Sequence, residues 1–302
     1  MTETMRAVQR RGGTVGAWVQ AAGPPLILVI VLQAGYGLTI ADRIAPLAPS
    51  RVALTLALFV LDAIGRRLIN DYEDHRRGLD SVDTVRPDSS LALGLDMRRV
   101  RAAGMTCFGL AWVLAAYLAL TIQPWILLLA VACYAAYFAY AGGPRPLGHR
   151  GLGELIDFVV TGTAVTLLVV LANVGRVDLT GFLGALGPGF LFCALMLHNN
   201  ARDVPKDSAH GKTTLPKIIG LTPTKVLYAV GVTGFYTVVV VVAASWSAPW
   251  LLLPLLTAPW AAYVVVAVAR ATEFGESMIS WARLYFVMIA NFALFTVGGV
   301  LS

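Results

Sequence analysis

The sequence predicts an all-α, polytopic membrane protein, and three observations carry that expectation. Over 302 residues the chain is 58% hydrophobic and 13% charged, with a mean hydropathy of +0.74, outside the range of soluble domains. Nine segments are long and apolar enough to span a bilayer, each roughly 17 to 25 residues. The basic residues alternate from one connection to the next: of 23 Lys and Arg, all but Arg43, Arg51 and Arg176 fall on one side.

The expected spans run near 19–41, 52–70, 102–122, 124–141, 155–174, 180–199, 222–245, 249–269 and 281–301, arranged as one transmembrane domain over 1–302. The positive-inside rule puts the N-terminus in the cytoplasm and the C-terminus outside the cell membrane. Arg6, Arg10 and Arg11 lead into glycine with no convincing cleavage site, so the first span is expected to be retained. The net charge of +6 is explained by topology, with no nucleic acid required as a partner. Cys107, Cys133 and Cys193 lie in apolar runs without CxxC spacing and read as small core residues. The long polar connections, about 71–101 and 200–221, are expected to cap the cytoplasmic mouth.

Charges enter the second segment in the run from Asp62 to Asp80, DAIGRRLINDYEDHRRGLD. On a continuing helix Asp62, Arg66, Asn70 and Asp74 recur every four residues and form one polar stripe, flanked by Arg67 and Asp71. A carboxylate at membrane depth costs a few kcal/mol or more, so several together require a partner charge or a watery cavity. Asp71 and Asp74, three residues apart, can address one divalent ion, with Asn70 as a neutral oxygen ligand. Oxygen-only donors favour Mg²⁺, which keeps some waters and is usually completed by substrate phosphates. Asp62 is expected to pair with Arg66 one turn on.

A second stretch, HNNARDVPKDSAHGKTTLPKIIG from His198 to Gly220, answers the first. Asp203 and Asp207 lie four apart after Asn199 and Asn200, interleaved with Arg202, Lys206 and Lys212. Pro205 is expected to kink or end the helix. Two acidic clusters with basic residues between them, at the same end of their helices, suggest a diphosphate pocket with Mg²⁺ bridging carboxylates and phosphate oxygens. The connection YAYAGGPRPLGHRGLGELIDF adds Tyr140, Arg145, His149 and Arg150 on the same side, then Glu154 and Asp157 one turn apart. It would supply further phosphate donors or shape a second substrate's pocket.

NDYEDHRRGLD followed by NNARDVPKDSAHGKTTLPKIIG, in a chain of this hydropathy, resembles the UbiA superfamily of intramembrane prenyltransferases. The GLGEL segment and the second motif are most similar to the 1,4-dihydroxy-2-naphthoate polyprenyltransferases of menaquinone synthesis. The resemblance implies a helical bundle around a central cavity that binds an allylic prenyl diphosphate through Mg²⁺, its tail running toward lipid. It implies Asn70, Asp71, Asp74, Asn200, Asp203 and Asp207 as the metal-binding set. Arg202, Lys206 and Lys212, with Arg145, then look like the cations for the diphosphate. Two departures fall on the acceptor side: Gly23 and Pro25 stand where basic residues are expected, and Arg86 precedes its proline with no basic residue soon after. The acceptor is therefore an aromatic quinone precursor, another small molecule, or none. In the last case the resemblance extends to membrane terpene cyclases, with Asp62 and Asp157 near the cation. A transporter using the motifs as a gate is the reading from another class.

Overall fold

A computed structural model of the chain describes residues 15–76, 88–141, 146–209, 212–273 and 278–302. Among them the ordered backbone is helical, with one isolated bridge between Arg150 and Thr213. Among the described residues seven helices are long and apolar enough to cross a membrane, and a shorter apolar helix runs from Trp125 to Tyr140. The all-α polytopic class is as expected; the count of nine spans is not reached by this measure. The expected 52–70 span lies in a helix interrupted by Arg51, Asp62, Arg66 and Arg67, and the 124–141 span is short. The chain divides into two compact units, residues 1–31 with 49–118, and 32–48 with 119–302.

In the first unit, α1 (Val15–Ala22) ends at Gly23, whose φ of 76° favours glycine. A Cβ at that position would stand 2.6 Å from Cδ of Arg67. Pro24 then opens α2 (Pro24–Ile44), so the single span expected over 19–41 is broken near its start. The motif helix α3 (Pro49–Arg76) lies close against α4 (Met97–Thr121). A Cβ on Gly65 would come within 2.9 Å of the Phe108 backbone nitrogen, and one on Gly104 within 3.1 Å of Leu68 Cβ. Small residues let helix backbones approach where lipid offers no hydrophobic drive. Ala17, Ala21, Leu68, Leu95 and Val100 close a small apolar cluster over the motif helix.

The second unit contains α5 (Trp125–Ala141), α6 (Gly153–Val174), α7 (Leu179–Ala209), α8 (Leu215–Ile219), α9 (Leu221–Ser245), α10 (Pro249–Arg270) and α11 (Met278–Leu301). Helix α6 widens into a π-helical stretch over Asp157–Ala164 and returns to α geometry. A Cβ on Gly162 would sit 2.3 Å from Gly189 Cα, so here α6 and α7 touch backbone to backbone. The Gln33 amide donates to the widened turn's carbonyls, at 2.8 Å to Thr161 and 3.2 Å to Gly162. The first nine residues of α10 form a 3₁₀ helix, and its last, Thr257, donates to Asn291 at 2.7 Å and contacts the Tyr236 hydroxyl at 2.7 Å. Gln33, Thr257 and Asn291 thus find their partners within the protein. Tyr36 anchors the core: its hydroxyl donates to the Gly184 carbonyl at 3.0 Å and its ring stacks on Phe295.

Helix α7 continues through Pro188 and Pro205 to Ala209, so of the two alternatives expected at Pro205, a kink or an end, the helix does not end there. A proline removes its own bond to the carbonyl four residues back but permits the next turn.

Candidate active site

The first motif occupies the last turns of α3, and its acids face two ways. Asp71 is 1% exposed. Its Oδ2 accepts the Ser90 backbone N–H at 2.8 Å and the Ser90 hydroxyl at 2.7 Å. Asp74 lies on the expected stripe one turn beyond Asn70, whose amide donates to Asp74 Oδ2 at 2.8 Å. Deeper on the same stripe, Asp62 pairs with Arg66 at 2.8 Å, as the four-residue spacing anticipates. Arg67 points elsewhere: Nε donates to the Ala21 carbonyl at 2.9 Å, while the guanidinium pairs with the Asp88 carboxylate and donates to its carbonyl. The turn carrying Ser90 is therefore tied to α3 twice, through Asp71 and through Arg67.

The second motif closes α7, and its acids are matched by their own basic neighbours. Arg202 donates from Nε and Nη2 to the two oxygens of Asp203, both at 2.8 Å. Lys212 pairs with Asp207 at 2.8 Å, and its backbone N–H bonds to the Asp207 carbonyl at 3.0 Å. Asn200 is buried and its amide donates to Glu154 Oε1 at 2.8 Å. Asp157, at the start of the π turn, accepts the Thr161 hydroxyl at 2.7 Å, and Thr161 also contacts the Tyr137 hydroxyl at 2.7 Å. The Tyr140 ring lies against the backbone of Gly148, where a Cβ would come within 2.7 Å of Cε2. Arg145 and the side chain of Lys206 lie outside the described residues.

These donors suit a hard dication: carboxylate and amide oxygens with no thiolate among them. Among the described residues no three carboxylate, imidazole or thiol groups converge as a preformed metal cluster. Instead Asp203 and Asp207 pair with Arg202 and Lys212, and Asp74 accepts from the Asn70 amide. The sequence reading placed Glu154 beside the motifs without assigning its partner, and missed Ser90, which carries no local signal.

The chain is a polytopic helical membrane protein in which each of two helices ends in carboxylates, amides and cations. The match to the UbiA prenyltransferase family covers residues 16–296, and the chain belongs to that family as a UbiA-type prenyltransferase. It is 33% identical over 247 residues to the 1,4-dihydroxy-2-naphthoate octaprenyltransferase of Mycobacterium tuberculosis, covering 81% of this chain and 83% of that one. The enzyme of the same name from Bacillus subtilis is 26% identical, covering 65% of this chain and 64% of that one. Among solved structures, digeranylgeranylglyceryl phosphate synthase superimposes with a TM-score of 0.66 at 16% identity, covering 95% and 99% of the two chains. A UbiA homologue from Archaeoglobus fulgidus bound to geranyl diphosphate (GPP) and Mg²⁺ gives a TM-score of 0.59 at 16% identity, covering 94% and 98%. Family membership removes the transporter reading.

Proposed function

We propose that the protein transfers a prenyl group from an allylic prenyl diphosphate to a hydroxylated aromatic acid of the dihydroxynaphthoate kind, in a reaction dependent on Mg²⁺. The identity to naphthoate prenyltransferases over four-fifths of the chain carries the acceptor half of this reading. The paired motifs, with a homologue that binds GPP and Mg²⁺, support the donor half. Asn70, Asp71, Asp74, Asn200, Asp203 and Asp207 are the proposed metal-holding groups; bound there, Mg²⁺ would neutralise the charge developing on the departing diphosphate. Arg202, Lys206, Lys212 and Arg145 take the remaining phosphate oxygens.

Arg202 and Lys212 exchange partners in this scheme, leaving Asp203 and Asp207 for the incoming phosphates. The allylic C–O bond breaks and its electron pair leaves with the diphosphate; the carboxylate-bearing aromatic carbon bonds to the prenyl cation, and the ring then loses that carboxylate as carbon dioxide, the C–C electron pair returning to the ring. The chain works as a single transmembrane domain in the cell membrane, with the N-terminus and the motifs on the cytoplasmic side.

The test incubates membranes containing the protein with labelled geranylgeranyl diphosphate, with Mg²⁺ or excess EDTA, and with or without 1,4-dihydroxy-2-naphthoate. Prenylated naphthoquinol formed only with acceptor and Mg²⁺ is expected. A terpene hydrocarbon or alcohol formed without acceptor would replace transfer by cyclisation, and unchanged turnover in EDTA would remove the metal.

A further inference from the structure

We propose that Glu154 is a positioning residue of the second motif, fixing the Asn200 amide so that its oxygen, rather than its nitrogen, is offered to the metal. This rests on the reading above that Asn200 is a metal-holding group. The two side chains are 2% and 6% exposed, and Asn200 Nδ2 donates to Glu154 Oε1 at 2.8 Å. An amide can present either end, and here it is the nitrogen that faces the Glu154 carboxyl. Contact with Glu154 therefore holds the nitrogen and turns the carbonyl oxygen away. Outer partners of this kind fix which atom of a ligand reaches the metal.

The segment bearing Glu154 is built to hold this contact. Gly151 donates its N–H to the Thr213 carbonyl at 3.1 Å, beside the bridge between Arg150 and Thr213. Gly151 has φ 73°, and a Cβ there would lie 2.5 Å from Ile218 Cδ1. Gly153 packs beneath Asn200, where a Cβ would be 3.4 Å from Nδ2 and 3.3 Å from the Tyr140 ring. Residues 147–156 are thus joined by backbone to the segment after the motif and by one side chain to the motif itself. The second oxygen of Glu154, Oε2, is buried with no hydrogen-bond partner among the described residues. A buried carboxylate left half-satisfied weakens a fold, so stability does not account for it.

The test measures Mn²⁺ binding by electron paramagnetic resonance on the full-length protein in nanodiscs, with geranyl thiolodiphosphate as an unreactive donor. Glu154→Leu is expected to weaken Mn²⁺ binding by about 10- to 100-fold. Glu154→Gln can offer Asn200 either an oxygen or an NH2 and should fall between the native protein and Glu154→Leu. The Glu154→Leu/Asn200→Ala double variant should bind no more weakly than Asn200→Ala alone, because one interaction is removed twice. Asn200→Asp sets two acids face to face and should weaken binding; adding Glu154→Gln reverses the direction of the bond and should recover it. The near-isosteric exchanged pair decides the matter even where the leucine variant does not fold.

Additive losses, a glutamine variant as weak as leucine, or no recovery in the exchanged pair would overturn the inference. Asp203→Ala separates the two levels. Wild-type Mn²⁺ affinity in that variant sinks the metal-site reading, whereas its loss beside native affinity in Glu154→Leu sinks only the role of Glu154.

Discussion

The two motifs hold similar residues by different kinds of partner. At the end of α3, Asp71 is buried and held by a neutral partner, the Ser90 hydroxyl and backbone N–H. At the end of α7, Asp203 is partly exposed and clamped by both donors of the adjacent Arg202, with Asp207 paired to Lys212. A carboxylate held by neutral donors keeps its negative charge available, while one neutralised by a cation must first release it. In the first motif the two Ser90 contacts fix one oxygen of Asp71 in place. The second is balanced by the same cations that the diphosphate would claim.

Removing an acid from either motif should have the largest effect. Asp71→Ala and Asp203→Ala are each expected to lower prenyl transfer by more than about a hundredfold, read as product per minute at saturating donor. Equal retention of turnover in both would dissolve the comparison altogether.

Arg202→Ala distinguishes the two kinds of partner more sharply. Loss of a charge-assisted pair should raise the donor KM by about ten- to a hundredfold, yet tighten Mn²⁺ binding measured without donor, because Asp203 is no longer neutralised. Unchanged Mn²⁺ binding would mean that the ion pair does not mask the site.

Ser90→Ala is smaller. It should raise the Mg²⁺ concentration for half-maximal rate by about tenfold, with Ser90→Thr restoring most of it, since the hydroxyl orients Asp71 without touching substrate. A loss of maximal rate with no change in Mg²⁺ dependence would contradict that role.

Gly23→Ala acts on stability alone. Its Cβ would meet Arg67 in a left-handed backbone conformation, for a loss of about 1–3 kcal/mol read as a lower melting midpoint. Arg76→Ala removes the exposed pair with Glu73 and should leave both midpoint and turnover where they were.

Helical arithmetic made part of this legible. The stripe of Asp62, Arg66, Asn70 and Asp74 follows from a spacing of four, and two of its contacts, Asp62 with Arg66 and Asn70 with Asp74, join neighbours on it. Apolar length found the seven qualifying helices with small shifts at their ends. What sequence could not supply were partners set by tertiary folding: Ser90 is nineteen residues from Asp71, and Glu154 forty-six from Asn200. The Arg202–Asp203 pair also runs against expectation, because adjacent helical residues do not face each other; the long guanidinium stem must curl back to reach its neighbour. The split of the first expected span needed knowledge of what lies beneath Gly23.

The π-helical stretch in α6 has a consequence for how the chain tolerates change in length. A turn closed by i→i+5 bonds accommodates a surplus residue, so the side chains before Asp157 and those after Val165 keep the phase they would have without it. Deleting one residue between Phe158 and Thr163 would remove the surplus and leave a plain α-helix with Glu154 still phased to the apolar half, whereas the same deletion after Val165 would rotate the carboxyl end against the apolar half by roughly a quarter turn. The widened turn is thus where α6 tolerates a change of length without re-aiming its carboxyls.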